Sequence, residues 1–177
     1  MQIRKATAGD VPGVVNIYDE LLDAEAAGGQ VIGWVRGVYP TAATAEAALA
    51  RDDLFVLEED GEILGAAVIN RTQVDVYYGA PWEHDAPDEQ VCVLHTLVVS
   101  PRAKGRGHGR RFVAFYEDWA RANGCPELRM DTNARNAAAR SLYRKLGYRE
   151  IAVVPTVFNG IPDVMLVLLE KNLETER

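Results

Sequence analysis

The chain has 177 residues, 19 Lys and Arg against 26 Asp and Glu, and a net charge of −7. Hydrophobic content of 48% and charged content of 25% are ordinary for a globular domain, and the length is sufficient to bury a core without disulfides or metal. The acidic balance argues against a nucleic-acid partner, which would need a basic face or stripe, and no apolar run is long enough to span a bilayer.

In chain order, Gln2 to Ala6 reads as a strand. Asp10 caps a helix with Pro12 in its first turn and apolar positions at Val14, Val15, Ile17, Tyr18, Leu21 and Leu22, and Gly28-Gly29 ends it. Trp34 to Tyr39 is a loop or short helix, and Thr41 or Thr44 caps an alanine-rich helix ending near Arg51. Leu54 to Glu58 and Ile63 to Asn70 flank the hairpin turn Glu59-Asp60-Gly61-Glu62. Arg71 to Gln90 holds Tyr77, Tyr78, Trp82, Glu83, His84, Asp85, Asp88 and Glu89. It reads either as a cover for an acceptor site or as an insertion with Trp82 tucked against the fold. Val91 to Val99 is a buried strand, followed by a helix beginning near Gly109, a strand over Glu127 to Thr132 and a helix after Asn136. Two final strands, Tyr148 to Val154 and Val164 to Glu170, flank a loop with Asn159-Gly160 and two prolines. The start, Met1 to Thr7, lacks the apolar stretch of a signal peptide. Neither a repeat nor a linker interrupts the chain, so one domain over 1–177 is expected. Cys92 and Cys125 lack paired-motif spacing and read as free thiols in a reducing, cytoplasmic compartment. His84, His95 and His108 share no metal-ligand spacing, so no metal is expected.

The most informative segment is Pro101 to Arg111. Glycines stand at 105, 107 and 109, cations at Arg102, Lys104, Arg106, Arg110 and Arg111, with no acid among them. Glycine lets a backbone approach a ligand and aim several N–H groups at it, and the following helix adds its positive end. The loop therefore suits a phosphorylated anion, most plausibly a diphosphate. It lacks the Gly-Lys-Ser/Thr of a P-loop, and Arg110 stands where a dinucleotide fingerprint needs glycine.

Lys104-Gly105-Arg106-Gly107-His108-Gly109 resembles the acyl-CoA loop, Gln/Arg-x-x-Gly-x-Gly/Ala, of the GNAT (Gcn5-related N-acetyltransferase) superfamily, with Lys104 at the Gln/Arg position. A second frame would match Arg102, Gly105 and Gly107 instead. Asn136 to Tyr148 resembles the superfamily's other signature, Asn-x-x-Ala-x-x-Leu-Tyr-x-x-x-Gly-Phe/Tyr, with Tyr143 in place. The resemblance covers nearly the whole chain. It implies an α/β (mixed α+β) fold, a mostly antiparallel twisted sheet of about seven strands flanked by about four helices and splayed between the fourth and fifth strands. It implies acetyl-CoA as co-substrate, bound by Leu97, Val98, Val99, Lys104, Gly105, Arg106, Gly107, His108, Gly109, Arg110, Asn136 and Tyr143. The implied reaction is direct transfer of an acetyl group to a primary amine of a small molecule or peptide within a ternary complex. Tyr143 would protonate the leaving thiolate.

The general base stays open. Alternation along Val91 to Val99 puts His95 on the face of Val93, Leu97 and Val99, and its ordinary pKa suits the role. Asp131 stands where certain relatives carry a catalytic carboxylate, Glu83 and Glu89 are further choices, and a water chain would also serve. Acids and aromatics of the 71–90 segment make a cationic acceptor the expectation. A non-catalytic acyl-CoA-binding or sensing domain is the alternative, and a homodimer is left open.

Overall fold

The computed structural model describes residues 1–174. Its elements are β1 (Gln2–Lys5), α1 (Val11–Ala26), α2 (Ala42–Ala50), β2 (Leu54–Glu59), β3 (Glu62–Asn70), β4 (Val91–Val99), α3 (His108–Ala122), β5 (Glu127–Asn133), α4 (Ala137–Lys145), β6 (Arg149–Phe158) and β7 (Ile161–Asn172). The strands form one sheet in the order β1-β2-β3-β4-β5-β7-β6, antiparallel throughout except for β4 beside β5.

Each helix buries one stripe. Val14, Ile17 and Tyr18 of α1 fall at helical spacing and pack with Ala45 and Ala48 of α2 over Val56, Ala66 and Val68. On the opposite face, Phe112, Val113, Tyr116 and Ala120 of α3 and Tyr143 of α4 cover Leu57, Ile69, Cys92, Leu94 and Leu128. The other half of the α1 face carries no α-helix among the described residues. There the 71–90 segment folds down with Tyr77 fully buried, and packs on Val91, Val93, Leu166 and Leu168.

The pairing of β4 and β5 is short. It runs from Val91 opposite Glu127 to Leu94 opposite Met130 and then stops. Beyond that point β5 stays with β7 as far as Asn133 opposite Leu166, while β4 stays with β3 to Val99 opposite Gly65. Two parallel neighbours therefore part at their C-terminal ends. A bulge accompanies the parting: the β3–β4 register shifts between Ala66 and Val68, and Thr96 sits at φ +50°.

The bulge corrects the expectation for His95. Strict alternation groups His95 with Leu97 and Val99. The extra residue flips the strand, so Leu97 and Val99 join Cys92 and Leu94 on the α3 face, opposite to Val93. The final hairpin is also longer than the sequence suggests. Its two strands continue through Pro155 and Pro162 to a two-residue Asn159-Gly160 turn, both at positive φ. Pro155 is tolerated because β6 is an edge strand, and Pro162 because β5 reaches β7 only from Leu166 onward.

Candidate active site

The parted strands open a cleft of about 620 Å³. It runs from the 104–110 loop, past the free edge of β4 at Thr96–Ser100, to a buried end formed by Asp131, Tyr143 and Leu166. Of the residues expected there, Leu97, Val98, Val99, Lys104, Gly105, Gly107, His108, Gly109, Arg110, Asp131, Asn136 and Tyr143 line it.

The loop has a ready cradle. A 3-10 turn, Pro101–Ala103, is capped by Ser100, whose buried hydroxyl donates to Glu20 Oε2 of α1 at 2.6 Å. The N–H groups of Lys104 and Arg106 close local turns onto the carbonyls of Pro101 and Ala103, and that of Arg111 bonds Gly107. Those of Gly105, Gly107, His108, Gly109 and Arg110 have no acceptor among the described residues. Gly105 and Gly107 sit at φ +83° and +78°, a region open to glycine and strained for other residues. Gly109 faces α4, where a Cβ would stand 3.2 Å from Leu142 Cδ2. Five unpaired donors at the start of the 15-residue helix α3 form a fixed anion-binding surface. The cations divide. Arg102 pairs with Glu20 and Glu62, and Arg106 with Glu59, outside the lining. Lys104 and Arg110 line the cleft with no ion pair among the described residues.

His108, the first residue of α3, is buried, and burial lowers its pKa. The free edge of β4 follows. From Thr96 to Val99 the strand is paired on the β3 side only, so its backbone groups toward β5 face the cleft.

The buried end holds a connected set of polar groups. Asn136 caps α4: its Oδ1 accepts from Ala139 N at 3.1 Å and from Gln30 Nε2 at 2.8 Å. Tyr143, two turns further along α4, has no hydrogen-bond partner for its hydroxyl among the described residues, and burial raises its pKa. Asp131 accepts from the Tyr77 hydroxyl at 2.8 Å, and burial pushes its pKa up to about 6 against the opposing hydrogen bond. Within the lining Asp131 is the one carboxylate among the described residues. The Tyr39 hydroxyl hydrogen-bonds Thr96 Oγ1 at the bulge.

His95 lies outside the lining. Its Nε2 bonds Asn70 Oδ1 at 3.1 Å, and burial pushes its pKa down to about 4, the wrong direction for a group that must take a proton near neutrality. The acids and aromatics of the 71–90 segment are elsewhere too. Trp82 packs on Tyr77 and under the Arg129 guanidinium, Glu83 pairs with Arg149, and Asp88 accepts from Gln73. The segment thus follows the reading in which Trp82 is tucked against the fold. Tyr77 reaches the site, but only from behind Asp131.

A wall not singled out in the sequence comes from residues 29–40. Gln30, Ile32, Gly33, Trp34 and Tyr39 line the cleft. Glu25 of α1 holds this segment by accepting from the N–H groups of Ile32 and Gly33 at 3.0–3.2 Å. Tyr18, Trp34, Tyr39 and Phe158 follow one another edge to face, with centroids 5.3–6.5 Å apart. The signal available was Gly33, at φ +84° with no room for a Cβ beside Asn133.

The architecture recurs in solved structures. A GNAT-family acetyltransferase from Streptococcus agalactiae superposes with a TM-score of 0.79 at 22% identity, covering 97% of this chain and 94% of that one. The Salmonella typhimurium protein yncA, solved with its cofactor acetyl-CoA, superposes with a TM-score of 0.67 at 20% identity, covering 100% and 96%. In sequence, the uncharacterized N-acetyltransferase YhfO of Bacillus subtilis is 31% identical over 97 residues, which is 55% of this chain and 58% of that protein. The match thus spans little more than half of that relative. The family described as acetyltransferase (GNAT) matches residues 17–148, which include the splayed strands, the glycine loop and Tyr143. With the sheet order, the parted β4 and β5 and this match in agreement, the chain belongs to the acetyltransferase (GNAT) family.

Proposed function

We propose that the protein transfers an acetyl group from acetyl-CoA to a primary amine of a small molecule or peptide, by direct attack in a ternary complex. The observation that carries this reading is a single cleft with unpaired N–H donors at one end and Tyr143 with Asp131 at the other. The donor set fits acetyl-CoA. Gly105, Gly107, His108, Gly109 and Arg110 offer backbone N–H groups to a diphosphate, with Lys104 and Arg110 as flanking charge. Acetyl-CoA supplies a thioester whose carbonyl carbon accepts the amine.

The chain's own groups then have defined tasks. The unpaired edge of β4 over Leu97 to Val99 supplies backbone polarity where the carbonyl oxygen would gain charge. Asn136 and Gln30 form a polar rim against the pantetheine arm. Tyr143 keeps its proton through the neutral range because it is buried, and can donate it to the departing sulfur. Asp131, held by Tyr77, would take a proton from the incoming ammonium, so that the neutral amine attacks the thioester carbonyl. The acceptor end is walled by Trp34, Tyr39 and Phe158, faces that suit a cationic amine beside the Asp131 charge. Cytoplasmic residence fits the two buried free thiols, Cys92 and Cys125. One domain over 1–177 fits a sheet that runs from β1 to β7.

The test is acetyl transfer from isotopically labelled acetyl-CoA to a panel of polyamines, amino acids, aminoglycosides and peptides, followed by mass spectrometry. Label is expected on an acceptor, and none on the protein, because direct attack leaves no acetyl-enzyme. Label retained on the protein would overturn direct attack. CoA binding without transfer to any amine would favour the sensing domain.

A further inference from the structure

On the far side of the sheet from α3 and α4, three side chains that the cleft does not use come together. His84 belongs to the 71–90 segment, Glu127 opens β5, and Glu170 lies near the end of β7. One ligating atom from each lies within 4.8 Å of the others. Glu127 and Glu170 are 0% and 1% exposed.

Their hydrogen bonding is half complete. Glu127 Oε2 accepts from Asn172 Nδ2 at 3.0 Å, and Glu170 Oε1 accepts from Glu83 N at 2.8 Å. The other oxygens, Glu127 Oε1 and Glu170 Oε2, are buried with no hydrogen-bond partner among the described residues, and so is His84 Nδ1, which lies 4.0 Å from Glu127 Oε2. A buried carboxylate oxygen left bare is costly, and two beside a bare imidazole nitrogen need a common partner. Arg129 adds positive charge near the pair but hydrogen-bonds neither carboxylate, and its own buried Nε has no hydrogen-bond partner among the described residues. Arg129 donates to Gln73 Oε1 at 2.6 Å and to the His84 carbonyl at 3.0 Å, and lies 4.3 Å from the Trp82 ring centroid.

We propose that His84, Glu127 and Glu170 bind a divalent transition-metal ion, with zinc as the best match. One imidazole nitrogen with two carboxylates suits zinc, whereas calcium and magnesium favour oxygen alone. Two ionised carboxylates and a dication sum to zero charge, which offsets the cost of burying the pair, with Arg129 as a further positive charge nearby. The hydrogen bonds have a task in this arrangement: Asn172 and the Glu83 N–H hold the two carboxylates in place beside His84. Zinc–ligand distances of roughly 2.0–2.2 Å require only a small inward closing of the three atoms. The His84 side chain is 35% exposed and gives the ion a path from solvent.

The role assigned is structural. None of the three residues lines the cleft. The ion would staple the 71–90 segment to β5 and β7, and the same segment carries Tyr77, which holds Asp131.

The experiment uses the full chain, stripped with a chelator and dialysed, then titrated with Zn2+ against a chromophoric chelator. One equivalent is expected to bind, and the thermal midpoint is expected to rise with the logarithm of zinc concentration. Co2+ in place of Zn2+ should give the visible bands of a low-symmetry nitrogen–oxygen site. His84→Ala is expected to weaken Zn2+ binding at least about tenfold and to abolish the midpoint rise, with circular dichroism unchanged. Glu170→Gln provides a second variant of nearly the same shape, with the same loss expected. Equal Zn2+ binding by wild type and both variants, or no binding by wild type, would overturn the proposal.

Discussion

Tyr143 is buried and Asp131 half-buried under the same cleft, and desolvation moves both in one direction, toward keeping the proton to higher pH. For the tyrosine this preserves an acid. For the aspartate it sets a base that ionises near pH 6. Tyr143→Phe is expected to lower kcat about a hundredfold or more while leaving acetyl-CoA affinity nearly unchanged, read by initial rates beside calorimetry. A normal kcat with a lowered melting point would make Tyr143 a core residue only. For Asp131 the sign follows from its raised pKa. The carboxylate accepts a proton only when ionised, so kcat/KM should climb as pH rises through about 6 and then level. Asp131→Asn should remove that limb, and an unaltered pH profile in the variant would sink the assignment. The place of Tyr143 on the cleft was legible from the Asn136 to Tyr148 pattern. The Tyr77 bond to Asp131 was not, because its partners are 54 positions apart. His95 was misplaced for a local reason: one extra residue at Thr96 reverses a period-two pattern.

The element that matters most is the turn from β4 into α3. Its strand, glycine spacing and helix were all readable, since each is a local pattern. The structure adds the count of unpaired donors and the division of the cations into those tied to Glu20, Glu59 and Glu62 and those facing the cleft. Gly107→Val is expected to strain the turn, since φ +78° suits a β-branched residue poorly, and to turn donors away from the ligand. Calorimetry with CoA should show affinity falling about tenfold or more, comparable to losing one hydrogen bond to a charged group at about 1.5–3 kcal/mol. Unchanged affinity would remove the loop assignment. The 29–40 and 71–90 segments were the least legible. Their positions depend on Glu25, Arg129 and the aromatic row, contacts that no local periodicity encodes.

Across the whole molecule, charge is used in two ways. The chain is acidic overall, yet its cleft presents cations at the loop and one carboxylate at the far end. Elsewhere charge fastens the edge of the sheet. Arg4 of β1 binds Glu58 of β2 and donates twice to Asp10, at 2.8 and 3.0 Å, while Thr7 donates to the same carboxylate. These bonds, the Arg4 guanidinium first, hold the Asp10 pKa well below the usual carboxylate range. A depressed carboxylate stabilises the fold above its unfolded pKa and loses that contribution as pH falls. Asp10→Asn is therefore expected to cost about 1–3 kcal/mol at pH 7 and progressively less below pH about 4, measured by urea unfolding. An equal cost at both pH values would assign the loss to shape instead of charge.

One cleft is proposed to hold acetyl-CoA and a reacting amine together. This is tested most directly by the initial rate of free-thiol release from acetyl-CoA, followed against amine concentration in wild type and Tyr143→Phe. Release is expected to depend on, and saturate with, an amine in wild type, and to fall about a hundredfold or more in the variant. Release that ignores the amine, or proceeds equally in both proteins, would contradict it.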